Sequence, residues 1–229
     1  MGRRGRVPRR TEGLTDFGRQ VVREMNRLGM MVDTAHASDR SFYDALDASS
    51  APILNTHAAC RRVANHPRNL TDDMLKALAQ NGGVLGVAYY SGMLDDEHRA
   101  RFPELAGIGR KRRDVVQQFS SDKKRLSEEL WKLNLEEVAI IGQPPLSRLV
   151  DHIEHAATVA GIDHVGLGSD FDSIGLKLPK GLEHIGKTPN LVAALKARGF
   201  SAQDVRKVLG GNALRVMQKA EAKAAQAAF

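Results

Sequence analysis

Four short stretches of this 229-residue chain carry side chains able to do chemistry, and each directly follows an apolar run. Asp33-Thr34-Ala35-His36 ends the first run, Asn55-Thr56-His57 the second, Tyr89-Tyr90 the third and Ser169-Asp170-Phe171-Asp172 the fourth. Neutral imidazole and carboxylate are the ligand types that suit Zn²⁺, and a catalytic ion keeps one position open for water. His36 and His57, at equivalent positions of successive units, therefore read either as a ligand pair or as two hydrogen-bonded loop residues. Asp170 and Asp172 supply carboxylates, although Asp172 equally suits a turn cap. Arg68, in Asn65-His66-Pro67-Arg68-Asn69, could hold a substrate carboxylate in its planar fork or be satisfied by backbone carbonyls. His152 and His155 have the spacing of a metal pair on one helix face, but fit better the surface of a helix lying over a sheet.

These groups need elements that bring them to one place. Thr15 and Asp16 cap a predicted helix with apolar positions Phe17, Val21, Val22, Met25 and Leu28, stopped by Gly29. A strand over Met30 to Thr34 follows, then a helix from Ser38-Asp39 through Phe42, Leu46 and Ala48. The same grammar repeats: strand Pro52 to Asn55, loop His57 to Asn69, a helix capped by Thr71 with Met74, Leu75 and Leu78 on one face, and strand Val84 to Tyr90. Residues 95 to 143, with ten basic and ten acidic side chains, break the rhythm and read as a long surface excursion containing a helix from Ser121 to Asn134. Alternation then resumes: helix Leu146 to Ala160, strand Val165 to Gly168, helices Leu191 to Ala197 and Ala202 to Leu209, and an Ala/Lys-rich terminal helix after Asn212. Four apolar strands alternating with helices predict a parallel sheet covered by helices, either open or part of a barrel. In such folds the loops at the carboxyl ends of the strands face one crevice, so two histidines and two carboxylates are expected at one mouth.

Composition excludes several classes. With 42% hydrophobic and 27% charged residues the chain is neither disordered nor fibrous, and no apolar run reaches the roughly 18 residues of a membrane span. The opening MGRRGRVPRR lacks the apolar core of a secretory signal, and a cytoplasmic location is expected. Its five arginines account for most of the +7 net charge: without them 29 basic residues face 27 acids. With aromatics at 5% and no basic stripe, nucleic acid is not an expected partner. The single Cys60 excludes an internal disulfide and a Cys-only zinc cage. Gly82-Gly83 and Gly210-Gly211 lack the Lys-Ser or Lys-Thr of a phosphate loop and read as helix stops. No Gly-x-Ser-x-Gly elbow is present.

Read together, the runs GLTDFGRQVVREMNRLGMMVDTAHAS, APILNTHAACRRVANHPRNLTDDML, GIDHVGLGSDFDS and GLEHIGKTPNLVAALKARGFSAQDVRKVLGGNALRV closely resemble the membrane dipeptidase (renal dipeptidase, peptidase M19) family. The likeness spans roughly residues 13 to 217, with 95–143 similar to a helical insertion of bacterial members. It implies the carboxyl-terminal part of a metal-dependent-hydrolase (β/α)₈ TIM barrel, about four βα units, between a basic disordered stub at 1–12 and a helical tail at 218–229. It further implies dipeptide hydrolysis by a zinc-bound hydroxide at a two-zinc centre. By position, His36 and His57 match the histidines of the second zinc, and Arg68 matches the arginine that grips the substrate's terminal carboxylate. Asp170 matches the residue that binds the amino end and assists proton transfer, Tyr90 a tyrosine near the site, and Asn212 a structural asparagine.

The chain also departs from the family's pattern. No His-x-Asp motif for the first zinc occurs in the 229 residues, and the bridging glutamate cannot be assigned. Ala35 stands where the family often has Ser, and Ser173 where it often has Gly. A truncated fragment holding one zinc ion or none is therefore expected, with a homodimer or a missing amino-terminal barrel half as partner. Two other functions remain open: a noncatalytic half-barrel interaction module using the arginine arm, and an amidohydrolase acting on a non-peptide amide.

Overall fold

The computed structural model describes residues 13–227, so the stub expected at 1–12 lies outside the described residues. In chain order the first elements are α1 (Asp16–Arg27), α2 (Asp39–Ala48), β1 (Leu54–Ala58), α3 (Asp72–Gln80) and β2 (Val84–Ala88). Each of these helices begins where a hydroxyl takes an orphan amide: Thr15 accepts from Gly18, Ser38 from Ser41 and Thr71 from Met74. A cap of this kind contributes about 1 kcal/mol. Then come α4 (Ser91–Leu94), α5 (Asp96–Ala100), α6 (Ala106–Gln118), α7 (Lys123–Ile141), α8 (Leu146–Ala160), β3 (Val165–Gly168), α9 (Thr188–Ala197), α10 (Ala202–Arg206) and α11 (Asn212–Ala227). No described helix is long and apolar enough to cross a membrane.

The sheet is parallel, ordered β1-β2-β3, with helices over it. Three of the four expected strands form. The Met30 to Thr34 run lies beside β1 but makes only the Asp33–Leu54 bridge. Its ladder stops because the Thr34 carbonyl turns to accept the Ala37 amide at 3.0 Å, and the Thr34 hydroxyl takes the Leu54 carbonyl at 3.0 Å. The third strand is also shorter than expected: β2 ends at Ala88, since Tyr90 caps α4.

β2 is buried along its whole length, as a parallel strand covered on both faces must be. Leu85 and Val87 join the main core with Leu149, Ile153 and Ala156 of α8 and Met74, Leu75 and Leu78 of α3. Val84, on the opposite face, meets Leu54 and Val216 of α11. Along that inner face the sheet curls so tightly that a Cβ at Gly86 or Gly168 would collide with the Thr56 carbonyl oxygen. Glycine at both positions lets β1 bend over the carboxyl ends of its neighbours. The bend coincides with a register shift between Asn55 and Ala58, which brackets Thr56 and His57.

Four further expectations change. The helix expected at Ser121 to Asn134 begins at Lys123, where Asp122 caps the Arg125 amide at 3.0 Å, and runs on to Ile141. Gly210-Gly211 does not stop a helix; it forms a π-turn that kinks the chain from α10 into α11, with Gly210 at φ 156°. α11 continues unbroken through residue 217, so the tail has no structural boundary there. His152 lies in the core rather than on a surface, because its ring nitrogens satisfy the Cys60 amide at 3.0 Å and the Leu94 carbonyl at 3.1 Å. The amide must donate, so Nδ1 accepts and Nε2 carries the proton. Burial pushes the His152 pKa down to about 4 and the Cys60 thiol up to about 12.

Candidate metal and carboxylate site

His36, His57, Arg68, Tyr90 and Asp170 line a single cavity of ≈ 830 Å³ at the carboxyl ends of the strands. The size suits a small organic ligand. The chain enters it under strain: His36 (φ 66°) and Asp170 (φ 54°) are the two non-glycine residues with left-handed backbone among those described. Outliers of this kind persist where surrounding structure holds them, typically at functional sites.

The two imidazoles meet Nε2 to Nε2 at 3.0 Å, with rings 65° apart. A hydroxyl chain fixes the His57 tautomer. Asp33 accepts the Thr56 hydroxyl at Oδ2 (2.8 Å) and the Thr56 amide at Oδ1 (3.0 Å). With its proton committed to Asp33, the Thr56 oxygen must accept from His57 Nδ1, 2.9 Å away. His57 Nε2 is then a bare lone pair facing His36. Burial, followed by the neighbouring Arg68 and His57, holds the His36 pKa below the ordinary imidazole value, favouring the neutral form a metal needs.

The pair suits part of a zinc site. Two nitrogens at tetrahedral angles on one Zn²⁺ lie about 3.3 Å apart, close to the observed 3.0 Å. Among the described residues no third His, Cys, Asp or Glu completes a ligand group. The chain thus offers two well-oriented donors and not a full shell.

Arg68 stands on a rigid loop. Asn69, fully buried, accepts the Ala59 amide at 3.1 Å and donates to the Ala64 and Met93 carbonyls at 2.9 and 2.8 Å. Arg61 adds bonds to the Asn69 and Pro67 carbonyls and pairs with Asp39. Among the described residues the Arg68 guanidinium makes one long contact, Nη2 to the His57 carbonyl at 3.4 Å, and its buried Nε has no partner. Burial lowers its pKa from the ordinary value, with Asp170 and Tyr90 opposing. An unpaired buried donor costs about 1–3 kcal/mol, so a backbone carbonyl satisfies Arg68 only in part, through Nη2.

Asp170 is positioned by its neighbours. Ser173 donates its hydroxyl to Oδ1 at 2.5 Å, and Phe171 packs edge-on against buried Tyr89 with centroids 5.6 Å apart. Tyr90 borders the cavity with its ring tilted against Phe102. Burial raises its pKa, with Glu137 next in effect. His155 instead bonds Asp72 at 2.7 Å, away from the site.

The 95–143 stretch contributes what the sequence reading missed. Arg112, Leu130 and Asn134 line the same cavity, together with Asp172, Ser173 and Lys177. The stretch therefore covers the mouth instead of running over a distant surface. One signal was visible: Glu137 sits between Leu133 and Ile141 at helical spacing, a charge on a buried stripe.

The paired imidazoles and the partly unpaired arginine thus sit at the strand ends of an α/β fold, where such folds gather their functional groups. The model of the membrane dipeptidase family (peptidase family M19) matches residues 2–228, and the chain belongs to that family. It is 33% identical over 213 residues to dipeptidase tcpJ of Claviceps purpurea, covering 93% of this chain and 40% of that protein. An uncharacterized dipeptidase of Schizosaccharomyces pombe is 35% identical over 214 residues, covering 93% and 42%. The chain thus spans about two fifths of the curated relatives it matches. Among solved structures, the probable dipeptidase PvdM of Pseudomonas aeruginosa superposes with a TM-score of 0.73 at 27% identity, covering 92% of this chain and 55% of that one. A Rhodobacter sphaeroides metallopeptidase liganded with a phosphinate mimic of the dipeptide L-Ala-D-Ala gives 0.70 at 26%, covering 91% and 48%.

Proposed function

We propose that the chain forms the carboxyl-terminal part of a (β/α)₈ hydrolase barrel and that its cavity is a dipeptidase site. The observation that carries this reading is the convergence of the imidazole pair, the buried unpartnered Arg68 Nε and the Ser173-held Asp170 on one cavity. His36 and His57 would hold one zinc ion through Nε2, and Arg68 takes the dipeptide's terminal carboxylate. A zinc ion held there would supply Lewis-acid polarisation of a carbonyl and a lowered pKa for bound water. Arg68 offers the carboxylate Nε and the Nη groups as a planar fork, which sets the peptide's direction in the cavity. Asp170, with Oδ1 held by Ser173, orients the amino end and exchanges a proton there. Tyr90 borders the space beside Arg68 and excludes water from the clamp.

A free carboxylate is the feature that separates a dipeptide from other amides, so the test compares dipeptides with their carboxyl-terminal amides. The purified chain is titrated with each in the presence of Zn²⁺, and release of amino acids is followed. Binding that requires the free carboxylate and is lost in Arg68→Ala is expected, with any release abolished by chelation. Equal binding of acid and amide, or release that survives chelation, contradicts the reading.

A further inference from the structure

The cavity roof carries a second anion-recognition element that the dipeptidase reading does not use. Glu137 is buried, with a side chain 7% exposed, and both its oxygens are occupied: Oε1 accepts from Arg112 Nη2 at 2.8 Å and Oε2 from Lys177 Nζ at 2.7 Å. One carboxylate thus serves two cations and leaves the cluster with one uncompensated positive charge. Arg112 sends both of its side-chain bonds, to Glu137 and to Asn134 Oδ1 at 2.9 Å, from Nη2. Its Nη1 and Nε have no bond among the described residues, and Arg112, Asn134 and Lys177 all line the cavity.

The cluster is also fixed in place. The Lys177 carbonyl accepts the Ser91 amide at 2.9 Å, and Gln143 Nε2 donates to the Leu176 and Leu178 carbonyls on either side at 3.2 and 3.1 Å. On the roof's far side Arg112 belongs to α6, whose Ile108 packs with Leu133 and Ile141 of α7. The positive charge is therefore pre-organised, with little side-chain entropy left to lose on binding.

The facing charges fall into two groups. Asp170 and Asp172 form the negative side, suited to a peptide's amino end, while Arg68 lies by the imidazoles and suits its terminal carboxylate. The Arg112–Lys177 roof then remains as a separate positive position in the same cavity.

We propose that this roof recognises a second carboxylate, so that the preferred ligands are dipeptides with an acidic side chain. This rests on the dipeptidase reading of the cavity and goes beyond it by naming the substrate class. Glu137 acts as a counter-ion that keeps the two cations in place while leaving part of their charge for the ligand. Arg112 and Lys177 are specificity residues and take no part in bond cleavage.

Calorimetric titration of the purified chain in EDTA, where nothing is turned over, tests this with Ala-Glu and Glu-Ala against their isosteres Ala-Gln and Gln-Ala. One charge-assisted bond more is worth about tenfold in dissociation constant. At least one acidic dipeptide is expected to bind about tenfold tighter than its amide isostere, with the preference abolished in Arg112→Gln and weakened in Lys177→Gln. Glu137→Gln frees both cations and is expected to raise the preference, an effect of opposite sign that loss of packing would not produce. Circular dichroism verifies that each variant is folded. Equal binding of acidic and neutral dipeptides overturns the roof proposal and leaves the dipeptidase reading standing. Failure of all four peptides to bind also overturns the roof proposal, while the dipeptidase reading is decided by the titration in the presence of Zn²⁺.

Discussion

Asp33 and His57 share the hydroxyl of Thr56, which donates to the carboxylate at 2.8 Å and lies 2.9 Å from Nδ1 of the imidazole. The carboxylate comes from the edge run beside β1, and the hydroxyl and ring from the shifted register within β1. A carboxylate behind a ligating imidazole, here through one hydroxyl, sets its tautomer and ring orientation. Asp33→Asn removes the obligate acceptor and lets the His57 proton move to Nε2. Zinc affinity, read by competition with a chromophoric chelator, should fall about 10–100-fold while the far-ultraviolet circular dichroism is unchanged. Undiminished affinity would show that the relay does not set the tautomer.

Arg68 offers a contrast between stability and binding. Its buried Nε has no partner among the described residues, so the fold carries the cost of an unsatisfied donor. Arg68→Met keeps the stem and removes the donor. Its urea midpoint should equal or exceed that of the parent, while dipeptide binding weakens about tenfold or more. A clear loss of stability would mean that Arg68 is structural.

His152 makes stability depend on pH in a defined window. Its folded-state pKa of about 4 lies below the ordinary 6.5, so the unfolded chain binds more protons between those values. The stabilisation is therefore complete above pH 6.5 and is lost as pH falls toward 4. The loss should be about 3 kcal/mol, measured by urea unfolding at intermediate pH values. His152→Gln, whose amide can serve both Cys60 and Leu94, should be less stable at pH 7 but lose about 3 kcal/mol less on acidification. Parallel pH profiles of parent and variant would refute the assignment.

The tight curl of the sheet can be tested at Gly86. A Cβ there meets the Thr56 carbonyl, which belongs to backbone and cannot swing aside. Gly86→Ala should cost about 1–3 kcal/mol and also weaken zinc binding, because Thr56 carries the proton relay to His57. A fully stable variant with native zinc affinity would show that β1 can relax without disturbing the site.

Local signals were legible in the sequence and long-range ones were not. Thr15, Ser38 and Thr71 announce their helices because a cap is set within three residues. His36, His57 and Asp170 could be placed at one mouth because loops after parallel strands share a side. The Asp33–Thr56–His57 chain was hidden, since it depends on a register shift that no spacing rule encodes. His152 was misplaced for a similar reason: its partners are 92 and 58 residues away. The roof residues Arg112, Asn134 and Lys177 were missed because their approach depends on how α6 and α7 fold back over the strands.

The central claim is that His36 and His57 hold a metal ion together, and the zinc content of the purified chain tests it most directly. Elemental mass spectrometry after dialysis against trace zinc should find close to one ion per chain, and close to none in His36→Ala, His57→Ala or their combination. Equal zinc in the parent and the double variant, with both folded, would show that the imidazole pair is a hydrogen-bonded contact and not a metal site.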